Sequence, residues 1–367
     1  MVAFGIEEEF LLVDPASSEP RPVSPQLRAL LAEQPTARFH VTPELLDCQI
    51  ELNTEPCRSR VEAAGAVSAM RHALARAADR LGTQPAGVGV AFDTARAPAE
   101  VTDTKRYRSI QRNAPAVVAD EYVTGLHIHA EVEDPELRIQ VMNRCRPWIP
   151  TLTAMAANSP YWYGRDSGFA TWRTILYRRW PIQGCPPVFA DFADYQQRLR
   201  RLLESGVAAD PGYVSWLLRP SANYPTLECR CADSQLSARD TLLVACLFRA
   251  LVGTEMDAAD DAPPPQPQPE HLDIALWQAA RYGLDGDLIN LETGCTVPAY
   301  EQLARLFEHV QDQLANSGDE DVVRAGLVRL RRDGNGAQRQ RQAHEQGGLA
   351  AWQRLVRSEF TAPADED

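Results

Sequence analysis

The sequence predicts an α+β fold in which an antiparallel sheet carries helices on one face and a functional site on the other. Three observations predict it. Four short segments alternate apolar with ionisable residues, helical periodicity fills the stretches between them, and continuous apolar runs suited to a buried parallel sheet are few. Solvated strand faces usually carry Thr, Ser and Lys. Here the polar faces carry carboxylates, imidazoles and an arginine, which suggests a face that holds cations.

Successive strand side chains point to opposite faces, so period two assigns each segment. Residues 4–13 (FGIEEEFLLV) place Glu7 and Glu9 together. Glu8 falls on the apolar side between Ile6 and Phe10, either paired with an arginine beneath the sheet or facing a second functional surface. Residues 45–54 (LLDCQIELNT) align Asp47, Gln49, Glu51 and Asn53. Glu44 precedes Glu51 by seven residues, which in a regular strand is the opposite face; a bulge or bend would bring it to the site, and Asp47 is the same-face alternative. Residues 61–81 repeat apolar side chains at helical spacing and stop at Gly82. Residues 125–132 (GLHIHAEV) put His127, His129 and Glu131 on one face and Leu126, Ile128 and Val132 on the other.

The helical pattern resumes over 135–158, where Pro147 and Pro150 are expected to bend or break it. Residues 226–231 (TLECRC) set Glu228 and Arg230 against Leu227, Cys229 and Cys231, 237–256 form a third apolar helix, and three more helical patterns follow Pro298. The segment 258–270 (AADDAPPPQPQPE) reads as a Pro-rich surface loop and 362–367 as a frayed acidic tail. The C-terminal helical region has no strand set of its own, so 1–367 is expected to form a single catalytic domain.

Composition narrows the function classes. Of 367 residues, 44% are hydrophobic and 24% charged, as in soluble globular proteins. A net charge of −13 argues against a nucleic-acid partner, which needs a basic surface. The eight cysteines show neither a CxxC pair nor zinc-like spacing and read as buried small hydrophobes of a reducing cytoplasm. The first strand leaves no room for a signal peptide, and no apolar run approaches the roughly 20 residues of a membrane span. The expected place is the cytoplasm, without a membrane partner.

Carboxylates with a histidine on neighbouring strands suit Mg²⁺ or Mn²⁺ better than zinc, and several together suggest more than one metal around a nucleotide. Left unpaired, Glu7, Glu9 and Glu51 would repel one another until one held a proton. The competing arrangement is a salt-bridge network with Arg230 and other arginines.

Eight segments in order along the chain give this pattern a family likeness: GIEEEFLLVD, GLHIHAEV, RPWIPTLTAMAANSPYW, RDSGFATWR, the WP at Trp180–Pro181, LECRCAD, WQAARYGL and NGAQRQRQA. Together they resemble the carboxylate–amine ligase family, related to the type-2 glutamate–cysteine ligases of bacteria. The resemblance implies a glutamine-synthetase-like fold, with a curved antiparallel sheet forming a funnel for ATP and divalent metals and helices packed on its outer face. It implies ATP-dependent amide formation through an acyl phosphate, with glutamate and cysteine as the expected carboxylate and amine. Carried over, Glu9 shares one metal with Glu51 and with Glu44 or Asp47, and Glu7 shares the other with His127 and Glu228. Arg230 matches the arginine that holds the substrate carboxylate or its acyl phosphate, and a guanidinium fork suits either anion.

His129 matches a position at nucleotide or substrate, or is a strand histidine satisfied by a carbonyl. Arg173 is a phosphate or carboxylate ligand or an exposed helix charge. Arg281 and Arg339 match nucleotide-side positions or serve packing. Lys105, Arg106 and Arg108 fit the family's basic-Tyr motif only in part, as triphosphate ligands or a solvated loop. A homo-oligomer is compatible with this reading. The competing functions are a ligase for another amine, a non-catalytic nucleotide-binding regulator, and a metal-dependent hydrolase.

Overall fold

Strand alternation produces the sheet. The computed structural model describes residues 1–33, 39–94, 99–208, 210–262 and 266–364. Among these residues the main sheet has seven strands: β1 (Phe4–Val13), β2 (Phe39–Pro43), β3 (Gln49–Thr54), β4 (Gln84–Ala86), β5 (Gly125–Glu131), β6 (Leu218–Pro220) and β7 (Thr226–Asp233). Their order is β6-β7-β5-β1-β3-β2, with β4 pairing the end of β1 beyond β5, and every pairing is antiparallel. The antiparallel α+β expectation is met.

The helices follow from apolar spacing, caps and prolines. Helix α1 (Arg60–Arg80) starts where the Ser59 side chain accepts the Glu62 N–H, and Gly82 beyond its end has φ of +60°. After α2 (Lys105–Asn113) come α3 (Pro135–Cys145) and α4 (Ile149–Met155), separated by a 3₁₀ turn at Arg146–Trp148 where Pro147 and Pro150 interrupt the helix. The helices used below are α5 (Trp172–Tyr177), then, after a further helix over Phe192–Glu204, α6 (Ala238–Asp257), α7 (Pro269–Tyr282), α8 (Ala299–Ser317), α9 (Glu320–Asp333) and α10 (Gly336–Phe360). Part of the Pro-rich segment, 263–265, and the last three residues of the acidic tail lie outside the described residues.

The apolar strand face packs on α1 and α6. Phe4, Ile6, Phe10, Ile50, Leu52, Leu126, Ile128 and Leu227 share one core with Val67, Met70 and Leu74 of α1 and Leu247 and Leu251 of α6. Each such side chain contributes about 1.5–3 kcal/mol by leaving water. Glu8 enters this layer and takes the first of its two alternatives. Arg71 of α1 donates from Nε to Glu8 Oε2 at 3.0 Å and from Nη2 to Oε1 at 2.5 Å, and Thr241 of α6 donates to Oε1 at 2.6 Å.

One strand expectation is corrected. Residues 45–54 are not a single strand, because β2 and β3 form a hairpin with Thr42 opposite Glu51 and Pro43 opposite Ile50. Glu44 and Asp47 therefore lie in the connection, where counting by twos along one strand does not apply.

Candidate active site

Register brings the polar faces of four adjacent strands together. Across the sheet Glu9 lies opposite Glu51, Glu7 opposite His127, and His129 opposite Glu228. These faces floor a cavity of about 660 Å³, whose lining includes Glu7, Glu9, Glu44, Glu51, His127, His129, Glu228 and Arg230. The hairpin turn delivers Glu44 and not Asp47, which does not line the cavity.

Three groups of donor atoms lie within 4.8 Å of one another: Glu9, Glu44 and Glu51; Glu7, Glu51 and His127; and Glu7, His129 and Glu228. The first is the set expected around Glu9. Around Glu7 the histidine grouped with Glu228 is His129, while His127 groups with Glu51. The register accounts for this, since His127 lies opposite Glu7 and His129 opposite Glu228.

The donor set fits divalent cations. Among the described residues no lysine or arginine pairs with Glu7, Glu9, Glu44 or Glu51; Glu7 and Glu9 pair with the histidines alone. The buried Nε2 atoms of His127 and His129 have no hydrogen-bond partner there. His129 Nε2 is 3.1 Å from Glu7 Oε1 without the alignment of a hydrogen bond, and His127 Nε2 is 3.6 Å from Glu9 Oε1. Buried, partnerless imidazole nitrogens facing unneutralised carboxylates are what hard-cation ligands look like without the ion.

Electrostatics agrees. Burial, then the charges of Glu9 and Glu51, raises Glu44 well above the usual carboxylate range. Burial, then Glu7 and Glu9, pushes Glu51 up to about 7. Burial also works against ionised Glu7, but the neighbouring His127 and His129 outweigh it and hold Glu7 well below the usual range. Burial and Arg230 lower His127. His129 is raised because Glu7 overcomes its burial.

A pH dependence follows. With Glu51 raised from 4.5 to about 7, the folded state holds the proton that the unfolded chain releases. The stability this group contributes is fully present below its unfolded pKa and is lost as pH rises through 7. In EDTA, wild type should therefore lose melting temperature relative to Glu51→Gln between pH 5.5 and 8, and Mg²⁺ should reverse that loss. Thermal melts of both proteins check this; a difference that does not move with pH counts against it.

Arg230 reaches the site through a bulge. The β5–β7 register runs from Cys229 opposite Ile128 to Ala232 opposite Leu126, so Arg230 and Cys231 together face His127. Arg230 pairs with Glu228, and its Nη1 is 3.3 Å from His127 Nδ1. Glu228 is also paired by Arg219, whose Nε donates to Oε2 at 2.8 Å. Burial would raise Glu228, but Arg230 and Arg219 hold it far below the ordinary range. Here the salt-bridge alternative is realised, at one carboxylate of the five. Arg219 escaped the sequence reading because β6 has three residues, too few for alternation to register, although Arg219 lies opposite Glu228.

The remaining arginines divide. Arg173 on α5 is buried behind the floor, with its guanidinium donating to the Arg230 carbonyl at 3.3 Å and standing 4.6 Å from the Tyr177 ring centre; it is not an exposed helix charge. Arg281 on α7 packs over Phe169 and Tyr282 and does not line the cavity. Arg339 on α10 is away from the cavity too, paired with Asp240 at 3.1 Å and Glu359 at 2.7 Å. Neither reaches the floor: Arg281 lies over aromatic rings, and Arg339 is neutralised by carboxylates of α6 and α10. Lys105, Arg106 and Arg108 start α2, a helix and not a loop; Arg106 reaches the cavity wall and pairs with Asp210 at 2.9 Å. Glu121, Tyr177 and Trp180 line the cavity from segments without strand alternation, so no periodic signal marked them.

Comparison with known proteins follows the geometry. Residues 3–358 match the profile of glutamate–cysteine ligase family 2. The chain is 39% identical over 342 residues to a protein of Saccharopolyspora erythraea provisionally named glutamate–cysteine ligase 2-1, covering 93% of this chain and 90% of that one. It is 39% identical over 349 residues to a provisionally named glutamate–cysteine ligase 2-2 of Mycobacterium sp. strain KMS, covering 95% of each. Among solved structures it resembles a glutamate–cysteine ligase of Francisella tularensis in complex with AMP, with a TM-score of 0.72, 12% identity, and 98% and 89% of the two chains covered. A bifunctional glutathione synthetase of Pasteurella multocida gives 0.69 at 12% identity, with 99% and 52% covered. These two likenesses show the fold, which is of the glutamine-synthetase-like class. None of the helices in the described residues is long and apolar enough to cross a membrane.

Proposed function

Because the chain belongs to glutamate–cysteine ligase family 2, we propose that it joins a carboxylate to an amine through an acyl phosphate formed from ATP. It is an ATP-dependent carbon–nitrogen ligase. Glutamate and cysteine are the substrates the proposal names, with 1–367 acting as one catalytic domain. The observation that carries it is the cavity floor, where four carboxylates without an arginine or lysine adjoin two partnerless imidazole nitrogens, with Arg230 and Arg219 at the border.

The chemistry explains that division. A carboxylate is a poor electrophile, and phosphorylation gives it a leaving group. Phosphoryl transfer depends mainly on positioning and on neutralising oxygen charge. Glu9, Glu44 and Glu51 would hold one Mg²⁺, and Glu7 with His129 and Glu228 another, His127 lying between the two sets. When bound, Mg²⁺ supplies charge neutralisation at phosphate oxygens. Arg230 presents its guanidinium to the substrate carboxylate and to the acyl phosphate that replaces it; Glu228 and Arg219 hold that side chain in place. Arg173 supports the same backbone from behind.

An isotope experiment tests the reading. Glutamate labelled with oxygen-18 in its side-chain carboxylate, incubated with ATP, Mg²⁺ and cysteine, should pass one label to inorganic phosphate with release of ADP. Label appearing in AMP, together with pyrophosphate, would mean adenylation and would overturn the acyl-phosphate step.

A further inference from the structure

An amine substrate reaches neutral solution largely as its ammonium ion, since α-amino groups titrate at roughly 8. Nitrogen has no lone pair for attack until a proton leaves. Of the cavity's carboxylates, Glu7, Glu9, Glu44, Glu51 and Glu228 belong to the donor groups. Glu121 and Asp210 remain. Asp210 is engaged by Arg106, which holds it below its ordinary value against the effect of burial.

We propose that Glu121 is the general base that takes the proton from the ammonium of the amine substrate, an inference that rests on the ligase reading above. Its carboxyl is fixed in the wall: Trp180 Nε1 donates to Oε1 at 2.8 Å and Arg179 Nη2 to Oε2 at 2.6 Å. Gln49 of β3 donates to the Glu121 carbonyl at 3.0 Å, which ties the base to the strand carrying Glu51. Arg179 is the cation against it, with Asp120 on the far side of Arg179; Arg173 and Tyr177 act on it from α5. Burial outweighs Trp180 and Arg179 and pushes Glu121 up to about 7, the range in which a base works best at neutral pH. The step balances. The N–H bond breaks with its electron pair left on nitrogen, and the proton passes to a Glu121 oxygen. Nitrogen then bonds to the acyl carbon as the bond to phosphate oxygen breaks, and the second proton it must lose to become an amide leaves on the departing inorganic phosphate.

Hydroxylamine separates this role from others, because it is neutral at pH 7 and needs no base. Rates should be compared for wild type and Glu121→Gln with glutamate and ATP, using cysteine or hydroxylamine as nucleophile. The expected result is a loss of about tenfold with cysteine at pH 7, where about a tenth of the amine is already neutral, and less than about threefold with hydroxylamine. The cysteine rate of the variant should then climb about tenfold in all between pH 7 and 9, as the amine titrates, while that of wild type levels off. Equal losses with both nucleophiles, or a cysteine loss independent of pH, would overturn the proposal. If Glu121→Gln does not fold, Glu121→Asp carries the test: it should keep the wild-type shape of the pH profile at a reduced rate, and a profile without the wild-type plateau would count against the base. Wild-type enzyme that makes neither hydroxamate nor amide would overturn the ligase reading, and this inference with it.

Discussion

Glu7→Gln is expected to lower turnover at least 100-fold, about 2.7 kcal/mol of transition-state stabilisation, while leaving the fold intact. Among the described residues Glu7 alone joins both histidines to the donor groups: it stands with His129 and Glu228 in one and with Glu51 and His127 in another. Glutamine keeps the volume and one acceptor oxygen but removes the anionic charge that a hard cation needs. Stability should change little, because the pairing of Glu7 with His127 and His129 that is lost is offset by relief of its repulsion on Glu51. ADP release measured across a Mg²⁺ titration checks this. Near-wild-type turnover at saturating Mg²⁺ would sink the assignment of Glu7 to cation binding. Glu228→Gln should be comparably inactive, but it would also leave Arg219 and Arg230 without a carboxylate, so Glu7 gives the cleaner answer.

The floor of the site was legible because strand alternation is a rigid ruler. Side-chain parity put Glu7, Glu9, Glu51, His127, His129, Glu228 and Arg230 on polar faces, and the register then had only to bring β1, β3, β5 and β7 side by side. What alternation could not resolve lies where the ruler breaks. Glu44 sits in a hairpin connection, so its distance from Glu51 along the chain carries no parity. Arg219 sits in a strand of three residues. The cavity wall is harder still: Glu121, Tyr177 and Trp180 come from a loop and a short helix whose placement depends on tertiary contacts such as Arg179 to Glu121. The arginines show the same limit from the other side. Motif position favoured Arg339, yet its charge goes to Asp240 and Glu359, because a residue on a helix can face any of several neighbours and local sequence does not say which.

The largest stability effect is expected beneath the floor, at Arg71→Met. Glu8 and Arg71 are 0% and 1% exposed, so neither charge can recover hydration if its partner is lost. Arg71 also donates to the carbonyls of Leu236 at 3.0 Å and Gln235 at 2.9 Å, and its guanidinium lies 5.1 Å from the ring centres of Phe10 and Phe360. Removing one partner of a buried pair costs roughly 3–5 kcal/mol, because the other charge is left uncompensated. Denaturant unfolding at neutral pH should show a loss of that size for Arg71→Met. The double variant Glu8→Leu with Arg71→Met removes the stranded charge, so it should recover part of the loss. Recovery should be incomplete, since the two carbonyls lose their donor and each unsatisfied buried acceptor costs about 1–3 kcal/mol. The pair also bears on function. Glu8 sits between Glu7 and Glu9 on β1, so an anchored Glu8 fixes the rotation of the strand that aims both neighbours into the cavity. The Mg²⁺ concentration for half-maximal ADP release should therefore rise in the double variant even at temperatures where it is fully folded. A loss below about 1 kcal/mol in the single variant, or a double variant less stable than the single one, would show that packing and not the buried charge pair holds β1 against α1.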